Sequence, residues 1–123
     1  MLTIAEVAER TGLSPHTLRY YERAGLLDPP ERGGNGHRRY SEQDLSMLGI
    51  LSRLRATGMS IADTRQYAQL CRDGEATYDA RRELLEEHRR KVLERIAALH
   101  EDLTTIEYKI KLYAGADRDL ARP

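Results

Sequence analysis

The chain has a single cysteine, Cys71, among 123 residues. That excludes a disulfide framework within one chain and an iron–sulfur cluster held by four thiolates of one chain. It fits a reducing compartment, and the expected location is the cytoplasm. The chain also lacks net charge, with 20 Lys and Arg against 20 Asp and Glu. A nucleic-acid partner must therefore be argued from where the charges sit, not from their sum. No apolar run approaches the ~20 residues of a spanning helix, so no membrane association is expected. The first residues lack the charged start and apolar stretch of a secretory signal. No nucleophile–base pair, phosphate loop or carboxylate pair stands out, which argues against an enzyme. His16, His37, His88 and His100 are too scattered to close a metal site with one cysteine, and no cofactor is expected. Only three of the 20 cations are lysine, a bias toward the residue suited to bidentate and phosphate contacts.

What is present is organised around residues 3–40. Thr3-Ile4-Ala5-Glu6 has the form of a capping box, in which hydroxyl and carboxylate satisfy backbone donors orphaned at a helix start. Ile4, Val7 and Ala8 repeat at helical spacing, and Gly12 is a stop. A second helix begins at Ser14, with Pro15 in its first turn. Leu18 and Tyr21 share one face of it. His16, Thr17, Arg19, Tyr20 and Arg23 stand at other angles, several of them free to face outward. Helix, tight turn, helix, with the second helix polar outward, is the helix-turn-helix pattern. Hydroxyl, imidazole, phenol and guanidinium groups suit the major groove and its flanking phosphates. An ordinary amphipathic surface helix would show the same alternation, so the flanking sequence decides.

Gly25-Leu26-Leu27 closes the second helix and Pro29-Pro30 forbids its continuation. In the stretch from Glu31 to Tyr40, Asn35-Gly36 is a hairpin signal. The expectation is a small two-stranded wing with its tip near Gly34 to Gly36. Arg32, His37, Arg38 and Arg39 on its arms are suited to phosphate contacts. A glycine loop with incidental cations is the alternative.

Ser41-Glu42-Gln43-Asp44 starts a third helix, with Leu45, Leu48, Leu51 and Leu54 spaced for one face, and Gly58 breaks it. Ser60 starts a fourth, with Ile61, Thr64, Ala68 and Cys71 along one side, and Gly74 ends it. From Tyr78 to Tyr113 there is no Gly and no Pro. A heptad frame gives a/d pairs Arg82/Leu85, Arg89/Val92, Ile96/Leu99, Leu103/Ile106 and Ile110/Tyr113, a coiled-coil pattern strongest from Val92 onward. At ~1.5 Å per residue such a helix is roughly 50 Å long. The same helix of a second copy is the natural cover, so a homodimer held by Val92, Ile96, Leu99, Leu103, Ile106, Ile110 and Tyr113 is expected. The fold class is mainly all-α: a winged helix-turn-helix over residues 1–75, a dimerisation helix over 76–113 and a flexible tail over 114–123.

Thr-Ile-Ala-Glu-Val-Ala, Leu-Arg-Tyr-Tyr-Glu-Arg-Ala-Gly-Leu-Leu, Asn-Gly-His-Arg-Arg-Tyr and Leu-Arg-Ala-Thr-Gly-Met-Ser follow one another in this chain. In that order they resemble the MerR family of bacterial transcription regulators, from about residue 2 to residue 113. The resemblance implies a winged helix-turn-helix on an antiparallel dimerisation coiled coil. It implies a dimer on a palindromic promoter operator, acting on RNA polymerase by distorting spacer DNA. It puts Arg19 and Tyr21 against DNA, with His16 and Thr17 beside them, and Arg32, Asn35, His37 and Arg38 in the wing contacts. The family usually has Tyr or Phe where His37 stands. Metal-sensing members carry cysteine at the start of the long helix, where this chain has Thr77 and Tyr78. Electrophile-sensing members tend to have one where Arg53 stands. Cys71 is the one thiol left. It is either a small hydrophobe on the apolar side of its helix or an effector or redox residue. Two other functions stay open: an architectural or excisionase-like factor with no effector, and a coiled-coil adaptor whose helix-turn-helix is vestigial or binds protein.

Overall fold

A computed structural model describes residues 1–28, 31–32 and 38–115. The elements in chain order are β1 (Leu2–Thr3), α1 (Ile4–Thr11), α2 (Pro15–Arg23), β2 (Glu31–Arg32), β3 (Arg38–Tyr40), α3 (Glu42–Ala56), α4 (Ile61–Arg72), a 3₁₀ turn (Glu75–Thr77) and α5 (Tyr78–Ala114). The wing tip expected at Gly34 to Gly36 and the tail from residue 116 lie outside the described residues.

The helix starts follow the local chemistry. Thr3 accepts from the Glu6 amide at 3.1 Å while Glu6 reaches back to the Thr3 amide at 3.2 Å, closing the capping box of α1. Gly12 ends α1 in the left-handed region at φ +76°, and its amide donates to the Ala8 carbonyl at 2.9 Å. Ser14 caps α2, Ser41 and Asp44 form a second capping box on α3, and Ser60 caps α4.

The strands form one antiparallel sheet in the order β1-β3-β2. Glu31 pairs with Arg39 and Arg32 with Arg38 across β2 and β3, while Leu2 pairs with Tyr40 and Thr3 with Arg39 across β1 and β3. The third strand is an addition to the sequence reading, which gave Thr3 only its capping role. Thr3 serves both purposes, because an N-cap residue has extended backbone that can end a strand.

The chain divides into two compact units, Met1–Leu85 and Glu86–Pro123. In the first, Val7, Leu18, Tyr21, Leu26, Leu27, Tyr40, Leu48, Leu51 and Ala68 form one buried cluster. Each of α1 to α4, the α2–β2 loop and β3 contributes to it, so the core fixes how α2 sits on its neighbours. The first unit takes in the 3₁₀ turn and the start of α5, which bond back to the end of α4 and the turn after it. Arg81 Nη2 donates to the Gly74 carbonyl at 2.8 Å, and Thr77 Oγ1 donates to the Leu70 carbonyl at 2.6 Å.

In the second unit no described residue is buried. Ile96, Leu99, Leu103, Ile106, Ile110 and Tyr113 are 45–61% exposed, and Val92 is half-buried. Arg90 pairs with Glu87 at 2.6 Å and with Glu94, one helical turn to either side.

Candidate nucleic-acid interface

Ser14 Oγ accepts from the Thr17 amide at 3.1 Å and donates to Thr17 Oγ1 at 3.0 Å. Thr17 is thereby committed to the start of α2. Leu18 and Tyr21 turn into the core, at 0% and 7% exposure. His16, Arg19, Tyr20 and Arg23 are exposed. Their spacing of three, four and seven residues from His16 makes them one stripe along the helix. Among the described residues, His16, Arg19 and Arg23 have no hydrogen-bond or ion-pair partner. Elsewhere in this unit arginines are spent on partners: Arg10 on Glu42 at 3.0 Å, Arg72 on Asp28 at 2.9 Å. Glu22, on the same helix, accepts from the Tyr40 hydroxyl at 2.7 Å.

Tyr21, which the resemblance puts against DNA, packs its ring into the core. Leu18 and Tyr21 are three residues apart and share the face that joins the core and meets α1. Its ring centroid is 6.1 Å from that of Tyr20, which is 40% exposed. The stripe therefore rests on a buried aromatic and presents an exposed one.

Of the other expected contact residues, Arg32, Arg38 and Arg39 stand on the paired strands β2 and β3. Asn35 and His37 lie outside the described residues. The sequence reading missed Arg65 and Arg72 of α4. Arg65 Nε donates to the Ala24 carbonyl at 2.6 Å and Arg72 Nη2 to the Gly25 carbonyl at 3.2 Å. The available signal was two arginines seven residues apart on one helix face.

Cys71 is half-buried and lines a cavity of about 440 Å³ with Leu26, Leu27, Met47, Arg72 and Arg81. Burial first, and then the Cys71 thiol beside it, raise the Tyr67 phenol above its usual value of 10.0, while Arg81 pulls it down. Among the described residues no group of three His, Cys, Asp or Glu side chains could hold a metal ion, and no helix is long and apolar enough to cross a membrane.

A helix-turn-helix whose second helix carries an unpaired cationic stripe, followed by a small sheet, defines a DNA-binding regulator by class. The comparisons agree. Residues 2–71 match the model for the MerR HTH family regulatory protein, and residues 45–107 match a second model described as MerR, DNA binding. An HTH-type transcriptional regulator of Haemophilus influenzae is 38% identical over 93% of this chain and 84% of its own length. The regulator HmrR of Rhizobium leguminosarum is 36% identical over 95% of this chain and 90% of its own. Among solved structures, a MerR family regulator from Listeria monocytogenes aligns with TM-score 0.86 at 38% identity, over 93% of this chain and 86% of that one. HiNmlR, a MerR family regulator lacking the sensor domain and solved bound to promoter DNA, aligns with TM-score 0.80 at 38% identity, over 91% and 89%. The chain belongs to the MerR family of helix-turn-helix transcriptional regulators and is not an enzyme.

Proposed function

We propose that the protein binds a palindromic promoter operator as a homodimer, with α2 in the major groove and the β2–β3 hairpin as a wing on the flanking phosphates. The observation that carries this reading is the stripe of His16, Arg19, Tyr20 and Arg23, exposed and, for its three basic members, unpartnered among the described residues. Cations kept free of acids on one helix face are available for base edges and phosphates. Thr17 and Tyr21 are DNA-binding residues of the same helix in this reading, and Thr17 also fixes the helix start while Tyr21 also seats the helix on the core. Arg32, Arg38, Arg39, Asn35 and His37 are the wing residues of this reading, supported by the pairing of β2 with β3 and by the family.

Homodimerisation rests on the apolar seam of α5 from Val92 to Tyr113, whose exposed Ile, Leu and Tyr side chains require cover. RNA polymerase at the promoter and a cytoplasmic location follow from the family's role. Cys71 is the candidate residue for redox or effector chemistry, supported by its place on the cavity wall beside Arg81. The test is retention on duplex DNA as salt is raised. The full chain should lose affinity steeply, with a log–log slope of several units, and replacing Arg19, Tyr20 and Arg23 together by Ala should remove most of the binding. A triple variant that binds like the wild type refutes the α2 interface, and a wild type with no DNA affinity favours the coiled-coil adaptor.

A further inference from the structure

Arg65 and Arg72 lie two turns apart on α4 and project from one side of it. Both reach the end of α2. Arg65 Nε donates to the carbonyl of Ala24, the C-cap of α2, at 2.6 Å. Arg72 Nη2 donates to the Gly25 carbonyl at 3.2 Å, and its Nε pairs with Asp28 Oδ1 at 2.9 Å. These carbonyls are left without intrahelical donors, at the negative end of the helix dipole, where a guanidinium is well placed. Gly25 permits the close approach. Its φ is +77°, and a Cβ there would stand 3.4 Å from Arg65 Nε.

The same device recurs one helix further along. Arg81, in the first turn of α5, donates through Nη2 to the carbonyls of Gly74 at 2.8 Å, Leu70 at 3.3 Å and Cys71 at 3.4 Å. Thr77 Oγ1 donates to Leu70 and Gly74 at 2.6 and 2.7 Å. The end of α2 is thus held by α4, and the end of α4 by the first turn of α5. Arg72 stands on the turn of α4 that Arg81 caps.

We propose that Arg65 and Arg72 are positioning residues for operator recognition. They set the pose of α2 on DNA without touching DNA, and they pass a displacement of the first turn of α5 on to α2. The proposal rests on α2 being the recognition helix. Both arginines are exposed and basic, so direct phosphate contact is the competing role, and the two roles differ in salt dependence. Removing a phosphate-contacting arginine lowers the salt slope by about one unit, whereas removing a positioning arginine leaves the slope in place.

The experiment uses the full chain and a duplex that the wild type selects from random sequence. Affinity for that duplex and for an unrelated one is measured across a salt series for Arg65→Gln, Arg72→Gln, the double variant, Arg81→Gln and Arg19→Ala. The double variant should lose about tenfold in discrimination between the duplexes, with a salt slope within about half a unit of the wild type. Arg81→Gln should lose discrimination in the same direction by a smaller factor. Unchanged discrimination in the double variant, or a slope lowered by about one unit per arginine, overturns the proposal. If Arg19→Ala keeps full discrimination, the recognition-helix reading is the one that fails. Should the double variant not fold, Arg65→Gln and Arg65→Lys carry the comparison. Lysine keeps the charge and one donor, so discrimination lost in Gln and regained in Lys supports the positioning role, and identical behaviour of the two refutes it.

Discussion

The hydroxyl of Tyr40 donates to Glu22 Oε1 at 2.7 Å, and the Tyr40 ring has no solvent exposure. The bond joins the last residue of β3 to the last turn of α2. The hairpin strand and the candidate recognition helix are therefore tied to each other directly, as well as through the core.

Tyr40→Phe keeps the ring and deletes the donor. A hydrogen bond to a partly buried carboxylate is worth about 1.5–3 kcal/mol, so unfolding free energy should fall by about that much in urea titrations. Operator affinity should fall as well, because hairpin and α2 lose their common anchor. Wild-type stability in the variant would show that the bond contributes nothing net.

Arg19→Ala should weaken operator binding by about 1–3 kcal/mol and relax specificity at one position, while Arg95→Ala, on α5, should leave it nearly unchanged. Arg38→Ala, on β3, should weaken all sequences alike and flatten the salt slope by about one unit. Equal losses for Arg19 and Arg95, measured by anisotropy on labelled duplex, would contradict the assigned interface.

The helical framework was readable because its signals are local. Ser14, Ser41 and Ser60 cap where a side-chain oxygen precedes an apolar repeat, and Gly12 and Gly74 end helices at positive φ. Leu48, Leu51 and Leu54 bury as their spacing predicts. What escaped the sequence are contacts set by tertiary packing. Leu2–Thr3 is too short to announce a strand and forms one only because β3 passes beside it. Arg65 and Arg72 look like solvated charges until α4 is laid across the end of α2.

Truncation after Glu87 removes the seam of α5, whose Leu99 is 61% and Ile110 60% exposed. Sedimentation should show a dimer for the full chain and a monomer for the truncated one, with operator affinity reduced because two half-sites can no longer be engaged together. Ile96→Asp with Leu103→Asp should do the same in the full-length chain. A truncated monomer with undiminished affinity would sink the dimer reading.

Tyr67 gives an alkaline signature. Its phenol is raised above 10.0, chiefly by burial. A group whose folded value lies above its unfolded value stabilises the fold fully below the unfolded value and loses that contribution as pH rises through the folded one. Stability should therefore decline as pH climbs past about 10, and Tyr67→Phe should flatten that limb. Urea midpoints collected across this range compare the two proteins. An equally steep decline in the Phe variant would place the alkaline sensitivity elsewhere.

The junction between α4 and α5 carries the last prediction. Gly74 has φ +92° and ψ −169°, a conformation that L side chains rarely adopt, yet a Cβ there would meet nothing within 4 Å. Gly74→Ala thus adds backbone strain and no clash, at a cost of about 1–3 kcal/mol. The Gly74 carbonyl accepts from both Thr77 and Arg81, so relaxation of the strain should shift the first turn of α5. The spacer distortion that the family resemblance implies leads us to propose that the dimer occupies one operator in its repressing and activating states and differs between them in how far it untwists the spacer. An effector then acts only through its different affinity for the two conformations. Deforming the duplex costs on the order of a few kcal/mol, so a change of that size at the junction can reverse the balance while most DNA contacts persist. Gly74→Ala should therefore change transcription from the operator promoter more than it changes operator affinity. Shortening the spacer stepwise in the same assay should make transcription progressively independent of the protein. If dependence on the protein is the same at every spacer length, untwisting is wrong and simple occlusion or recruitment replaces it.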